Sequence, residues 1–461
     1  MMLRLGWVMA VAVAVVTGGV GYADPAPGTP GWYGAEAQNW VSSTGRVQDQ
    51  VSNPLYFQLR SQQADTTNAD PYRAAERWAP ARGRVWAVSY RNRYQAKISG
   101  HIWAPRSLAG VYRYPAVVMV NGSGDTEEEY WSFGQDLAEH GYVVLTFDPQ
   151  GAGKSDTAPA PAFCDPKGSW RQPQEMGVQE HGTCAGQNGD QVAATTGELP
   201  GVAALVVGGH LGNQGTLDVQ SLYEQLEPNF VFGALDARDF LVSASNPARR
   251  LVDPQRIAVM GHSLGAYAAA LTANGDPKHR FSVGVALDSY AHFAHHVSAR
   301  VPTIYLQSEQ EFFAGPRLAP PPPTGLHATR FDYPQFVRRR LPVLYAVLAG
   351  STHQEFAYVG PEAHLPASAR GQRVATYFAL AWLDRWLKRT HSADNRLIAT
   401  TFDTSTDTSS IGLGHWDPLT QTNRPHLLAG SLIRDALSRY YTSRADFDGY
   451  HCADLRSARE C

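Results

Sequence analysis

The segment Gly261-His262-Ser263-Leu264-Gly265 lies directly after the β-forming run Ile257-Ala258-Val259-Met260 and directly before the Ala-rich stretch Ala266 to Ala273. A G-x-S-x-G segment between a strand and a helix sets its serine on a sharp turn with the hydroxyl exposed. Glycines on either side let neighbouring backbone pass without a Cβ collision, and the helix N-terminus favours negative charge that develops beside it. Ser263 is therefore the candidate nucleophile, the plainer alternative being an ordinary Gly-rich turn. A serine hydroxyl needs a base. His353, in Gly350-Ser351-Thr352-His353-Gln354, follows the apolar run Leu344 to Leu348 and is the candidate. His262 is expected to point away within the turn, and His181 and His210 fall in a long polar insertion. The base in turn needs a carboxylate to orient its ring and stabilise its cation. Two compete: Asp288 at the end of Val283 to Leu287, and Glu311 one strand further on. Asp288 is favoured, because a carboxylate at a buried strand end is costly without a partner, and Glu311 stays open as the alternative acid. An oxyanion hole would take one backbone N–H from Leu264 and the other from Ser123, in Asn121-Gly122-Ser123-Gly124. Such a set calls for no metal and no organic cofactor.

Three other patterns read as bland. Asp148-Pro149-Gln150-Gly151-Ala152-Gly153-Lys154-Ser155 has Asp148 where a phosphate loop needs its first glycine, so it is expected to be a structural turn. Asn121-Gly122-Ser123 spells a glycosylation sequon, but modification there would block the site. A zinc set of Cys164, His181 and Cys184 lacks paired C-x-x-C spacing and a fourth ligand.

The elements that must position these residues follow from hydrophobic pattern. Val85 to Val88 and Ala96 to Trp103 carry β-formers, and Tyr114 to Val120 is apolar at nearly every position. A continuous apolar run predicts a strand covered on both faces, inside a sheet with helices on either side. Further strands are predicted at Tyr142–Phe147, Arg256–Met260, Ser282–Leu287, Thr303–Leu306 and Leu344–Leu348, with helices at Tyr130–His140, Asn229–Ala244, Ala266–Ala273 and Arg373–Lys388. Strands alternating with helices mean an α/β fold with a mostly parallel sheet. Residues 157–228, polar and Gly-rich, read as an inserted cap over the site rather than a crossover.

Composition narrows the classes. Lys and Arg total 39 against 42 Asp and Glu, a net charge of -3, so no basic field exists to hold nucleic acid. Hydrophobic residues at 43% exclude a disordered chain, and 42 Gly with 30 Pro point to a loop-rich fold. Arg4, the apolar Leu5 to Val16 and the small residues of Gly21-Tyr22-Ala23 predict a signal peptide over 1–23 and therefore a secreted or periplasmic protein. The apolar run is shorter than the ~20 residues of a spanning helix, so no stable membrane anchor is expected. Residues 24–83 then read as a surface-wrapping segment, 84–390 as the main domain with the cap inserted at 157–228, and 391–461 as a C-terminal extension. Four cysteines in an exported chain suit two disulfides, with Cys164–Cys184 and Cys452–Cys461 one of three connectivities.

The order of Ser263, an acid and His353, with Gly122-Ser123-Gly124 upstream, resembles the α/β-hydrolase superfamily over roughly residues 85 to 390. Within it, Gly261-His262-Ser263-Leu264-Gly265, Ala286-Leu287-Asp288, Gln307-Ser308-Glu309 and Gly350-Ser351-Thr352-His353-Gln354 resemble the platelet-activating-factor acetylhydrolase group. That group takes its acid after the strand following the elbow helix, which implies Asp288. Asn121 stands where a histidine is more usual, and Glu311 where polyester hydrolases keep their acid. The resemblance implies a serine hydrolase cleaving a small-molecule carboxylic ester through an acyl-enzyme. A secreted exopeptidase of the same fold is the first alternative, and a non-catalytic binding or surface protein the second.

Overall fold

Short apolar runs with no polar alternation suit a strand covered on both faces, and here they fill the middle of a sheet. The computed structural model describes residues 83–106, 113–122, 125–150, 152–156, 230–288, 298–308, 333–349, 351, 353–357, 369–402, 416–417, 422–423, 432–438 and 441–456. Its main sheet holds ten strands among these residues: β1 (Gly83–Arg91), β2 (Lys97–Pro105), β3 (Tyr114–Val120), β4 (Val143–Phe147), β5 (Val252–His262), β6 (Val283–Leu287), β7 (Thr303–Ser308) and β8 (Val343–Leu348), with two more from the C-terminal region. A separate two-stranded ladder pairs β9 (Trp416–Asp417) with β10 (Thr422–Asn423).

The order across the sheet runs β1-β2-β4-β3-β5-β6-β7-β8, and every pairing from β4 to β8 is parallel. β1 and β2 add an antiparallel edge. Strands β3, β4, β6, β7 and β8 are buried at every position, because helices cover both faces. Side chains alternate between those faces. Val117 and Met119 pack with α1 (Trp131–Glu139) and α5 (Ala369–Trp386), whereas Ala116, Val118 and Val120 pack with α2 (Phe232–Val242) and α3 (Leu264–Gly275). A smaller cluster sets Phe336 of α4 (Tyr333–Arg339) against Tyr305 and Tyr345, and α6 (Asp394–Ile398) follows α5. Each fully buried Val, Leu or Phe contributes ~1.5–3 kcal/mol, so the two layers hold the strand ends rigidly in place.

Residues read from sequence as a trailing extension continue this same sheet. β11 (Arg444–Phe447) pairs antiparallel with β8, Ala445 opposite Leu344, and β12 (Tyr450–Cys452) pairs with β11. Asp448 and Gly449 join them with φ of 48° and 89°. Two positive φ values in a two-residue loop are the geometry that Asp-Gly supplies to a tight hairpin. Phe447 then lies edge-on to Trp382 and Trp386 of α5. Cys452 is disulfide-bonded. Cys164, Cys184 and Cys461 lie outside the described residues, as do the predicted signal peptide, most of the surface-wrapping segment and the predicted cap.

Candidate active site

Side chains brought to one edge of the sheet come from the carboxyl ends of its central strands, where ligands bind in open α/β sheets. β5 ends at His262 and α3 begins at Leu264, leaving Ser263 alone on the turn with φ 56° and ψ -121°. A non-glycine residue there carries a strain of ~1–3 kcal/mol that surrounding structure must hold. The flanking glycines make the turn fit. A Cβ on Gly261 would lie 2.1 Å from the Gly265 carbonyl oxygen, and one on Gly265 would lie 2.3 Å from that of Asn121. The backbone of Ser263 is pinned by its N–H donating to Leu287 O at 3.0 Å, so the next residue after that acceptor, Asp288, arrives beside it.

Asp288 is also held at a positive φ, 53°, and its N–H donates to Leu306 O at 2.6 Å. Its carboxylate accepts hydrogen bonds from Ser308 and His353. Ser308 N–H donates to Oδ1 at 2.8 Å and Ser308 Oγ donates to Oδ2 at 2.7 Å. His353 Nδ1 lies 2.6 Å from Oδ2. Burial alone would raise the Asp288 carboxyl, but the bond and charge of His353 and the two Ser308 bonds outweigh it, and its pKa is lowered. The carboxylate stays ionised. His353 itself opens a 3₁₀ turn, His353–Phe356, just beyond β8. Burial and then the neighbouring His262 hold its pKa below the ordinary histidine value, against the opposing pull of Asp288. A neutral imidazole with Nδ1–H directed at a carboxylate leaves Nε2 free of a proton, which is the state a general base requires.

His262 is where the sequence expectation needs correction. It does not point away from the site: its ring lies 4.6 Å from the His353 ring, and its Nε2 is 2.9 Å from the His353 carbonyl oxygen. Period-2 alternation along β5 sets His262 on the same face as Ala258 and Met260, with Tyr130 and Phe356, between the end of β3 and the turn after β8. Its Nδ1 meets Tyr130 Oη at 2.7 Å, and the same hydroxyl donates to Asp125 Oδ2 at 2.5 Å and accepts from Gly122 N–H at 2.9 Å. Ser308, Tyr130 and Asp125 were not singled out from sequence as partners. Their contacts join residues up to 132 positions apart, and no local pattern signals them.

The turn after β4 is built around Asp148, which accepts backbone N–H bonds from Glu127 and Lys154, both at 2.8 Å. Burial and the charge of Glu127 push its carboxyl up to about 7. Leu264, one expected oxyanion donor, is the first residue of α3. Ser123, the other, and Glu311, the alternative acid, lie outside the described residues. The structure thus brings Ser263, His262, Asp288, Ser308 and His353 to one edge.

Residues 115–303 match the family model described as alpha/beta hydrolase fold. The matched span runs from β3 into the first residue of β7 and carries Ser263 and Asp288. No curated protein matches the chain. With its mostly parallel sheet flanked by helices on both faces, the chain has the α/β-hydrolase fold, a fold that supports hydrolase chemistry in general.

Proposed function

We propose that this chain is an exported serine hydrolase that cleaves carboxylic esters through an acyl-enzyme. Ser263 Oγ attacks the ester carbonyl carbon while His353 Nε2 takes its proton, and the tetrahedral oxyanion is met by the N–H groups of Leu264 and Ser123. Collapse expels the alcohol, which leaves with the proton from His353. Water then repeats the sequence on the acyl-enzyme, releasing the acid and restoring Ser263. Asp288 keeps Nδ1–H in place and stabilises the imidazolium that forms in each half. The observation that carries this reading is the 2.6 Å contact between buried His353 and buried Asp288, next to a serine held at φ 56°. A surface loop histidine has no need of such a partner.

The acid after β6 favours the arrangement of the platelet-activating-factor acetylhydrolase group over that of the polyester hydrolases. The polar, Gly-rich composition of residues 157–228 favours small or moderately polar esters. Export is supported by the n-region, apolar run and small residues ending at Ala23. No helix of the described residues is long and apolar enough to cross a membrane.

A panel of p-nitrophenyl esters from acetate upward, run beside chromogenic dipeptides and with Ser263→Ala as control, tests the proposal. Turnover of short esters that disappears in the variant is expected. Peptide turnover without ester turnover would replace it with an exopeptidase, and no turnover of either by folded protein would contradict it.

A further inference from the structure

The hydrogen bonds behind the candidate base contain one proton more than their groups ordinarily carry. Tyr130 is the centre. Its hydroxyl oxygen accepts from Gly122 N–H, and its single proton goes to Asp125 Oδ2 at 2.5 Å, a length usual for an O–H donor on an ionised carboxylate. His262 Nδ1 lies 2.7 Å from that same oxygen, so Nδ1 has to be the donor. On the other side of the ring, Nε2 faces the His353 carbonyl oxygen at 2.9 Å. A carbonyl oxygen only accepts, so Nε2 donates too. Both ring nitrogens are then protonated.

We infer that His262 is an imidazolium, paired with the Asp125 carboxylate 3.5 Å away, and that it is the positioning residue of the site, tying the Gly122 loop to the backbone of His353. The functional half of this inference rests on His353 being the base, whereas the protonation state of His262 does not. Groups facing the ring are Tyr130, Asp125 and, through Tyr130, Glu129 from the connection after β3, and His353 with Asp288 from the opposite side. The fixed positive charge, with ring centroids 4.6 Å apart, opposes a second proton on His353. This agrees with the lowering of His353, to which burial contributes first and His262 second. A cation in the elbow therefore keeps the base neutral, and its Nδ1–H bond reaches, through the Tyr130 hydroxyl that accepts from Gly122 N–H, the loop expected to supply an oxyanion donor.

The direct test is a long-range ¹H–¹⁵N correlation spectrum of full-length protein labelled with ¹⁵N-histidine, recorded near neutral pH. The His262 signals are assigned by their loss in His262→Gln or, should that variant not fold, by their displacement in Tyr130→Phe. Two ring nitrogens of nearly equal, protonated-type shift are expected at His262, and one nitrogen of pyridine type at His353. A pyridine-type nitrogen at His262 would overturn the inference. His262→Gln keeps a donor for the His353 carbonyl but drops the charge, so the acid limb of its kcat/KM profile should move to higher pH by at least about one unit. An unmoved limb would overturn the backing role. Failure of the hydrolase reading shows separately, as a Ser263 that a fluorophosphonate does not label, and leaves the spectral test standing.

Discussion

Replacing Asp288 by Asn tests the site through its hydrogen-bond polarity rather than its shape. In the native site Oδ1 accepts from Ser308 N–H, while Oδ2 serves both Ser308 Oγ and His353 Nδ1. The backbone N–H of Ser308 cannot turn round, so an Asn side chain must keep its carbonyl oxygen at that position, 2.8 Å from the donor. Its NH₂ then faces His353 Nδ1. A donor there forces Nδ1 to accept, which moves the ring proton to Nε2, the nitrogen that must take the proton of Ser263. The same amide substitution lowers turnover by roughly 10⁴-fold in other Ser-His-Asp sites, equivalent to about 5 kcal/mol of transition-state stabilisation. The assay is kcat/KM on the best short ester, with circular dichroism and thermal melting to establish that the variant is folded. Activity within tenfold of the native value would refute the argument and pass the orienting role to Glu311.

Three further outcomes follow from the packing and charges. Gly265→Ala would set a Cβ 2.3 Å from Asn121 O and 2.4 Å from Val120 O, both backbone atoms, so it should cost at least ~1–3 kcal/mol in chemical denaturation and lower esterase activity by displacing the Leu264 amide. Because burial and His262 lower the pKa of His353, and the base works only when neutral, the acid limb of kcat/KM should fall below the ~6.5 of an ordinary histidine; a limb above it would contradict the assignment. Phe447→Ala should destabilise the fold by ~3–5 kcal/mol, since Phe447 is buried against Trp382 and Trp386, and a denaturation midpoint equal to the native one would count against the C-terminal strands being part of the core.

The sheet was legible because its interior strands are covered on both faces and need apolar residues at every position. Tyr114 to Val120 and Leu344 to Leu348 carry that signature in the sequence, and both are strands. Asp288 and His353 were legible for a related reason, since each stands just past such a run, where a strand end meets the site. β11 was not, because four residues alternating between buried and half-buried give too short a pattern. Asp448-Gly449 was the one available signal, a hairpin turn pair between Phe447 and Tyr450. The surroundings of His262 were hidden for a different cause. Period-2 alternation sets it on the face of Ala258 and Met260, but which groups meet it there is set by tertiary packing, and the partners Tyr130 and Asp125 lie more than a hundred residues upstream. Ser308 stood within Gln307-Ser308-Glu309, yet only the fold reveals that its N–H and hydroxyl both grip the acid.

That Ser263 is a nucleophile activated by His353 is the claim on which the functional account depends, and a fluorophosphonate reads it directly. Intact mass after labelling, followed by peptide mapping, should show one adduct on Ser263 that is absent from Ser263→Ala and strongly slowed in Asp288→Asn. Folded protein that takes no label, or takes it on another serine, would contradict the account.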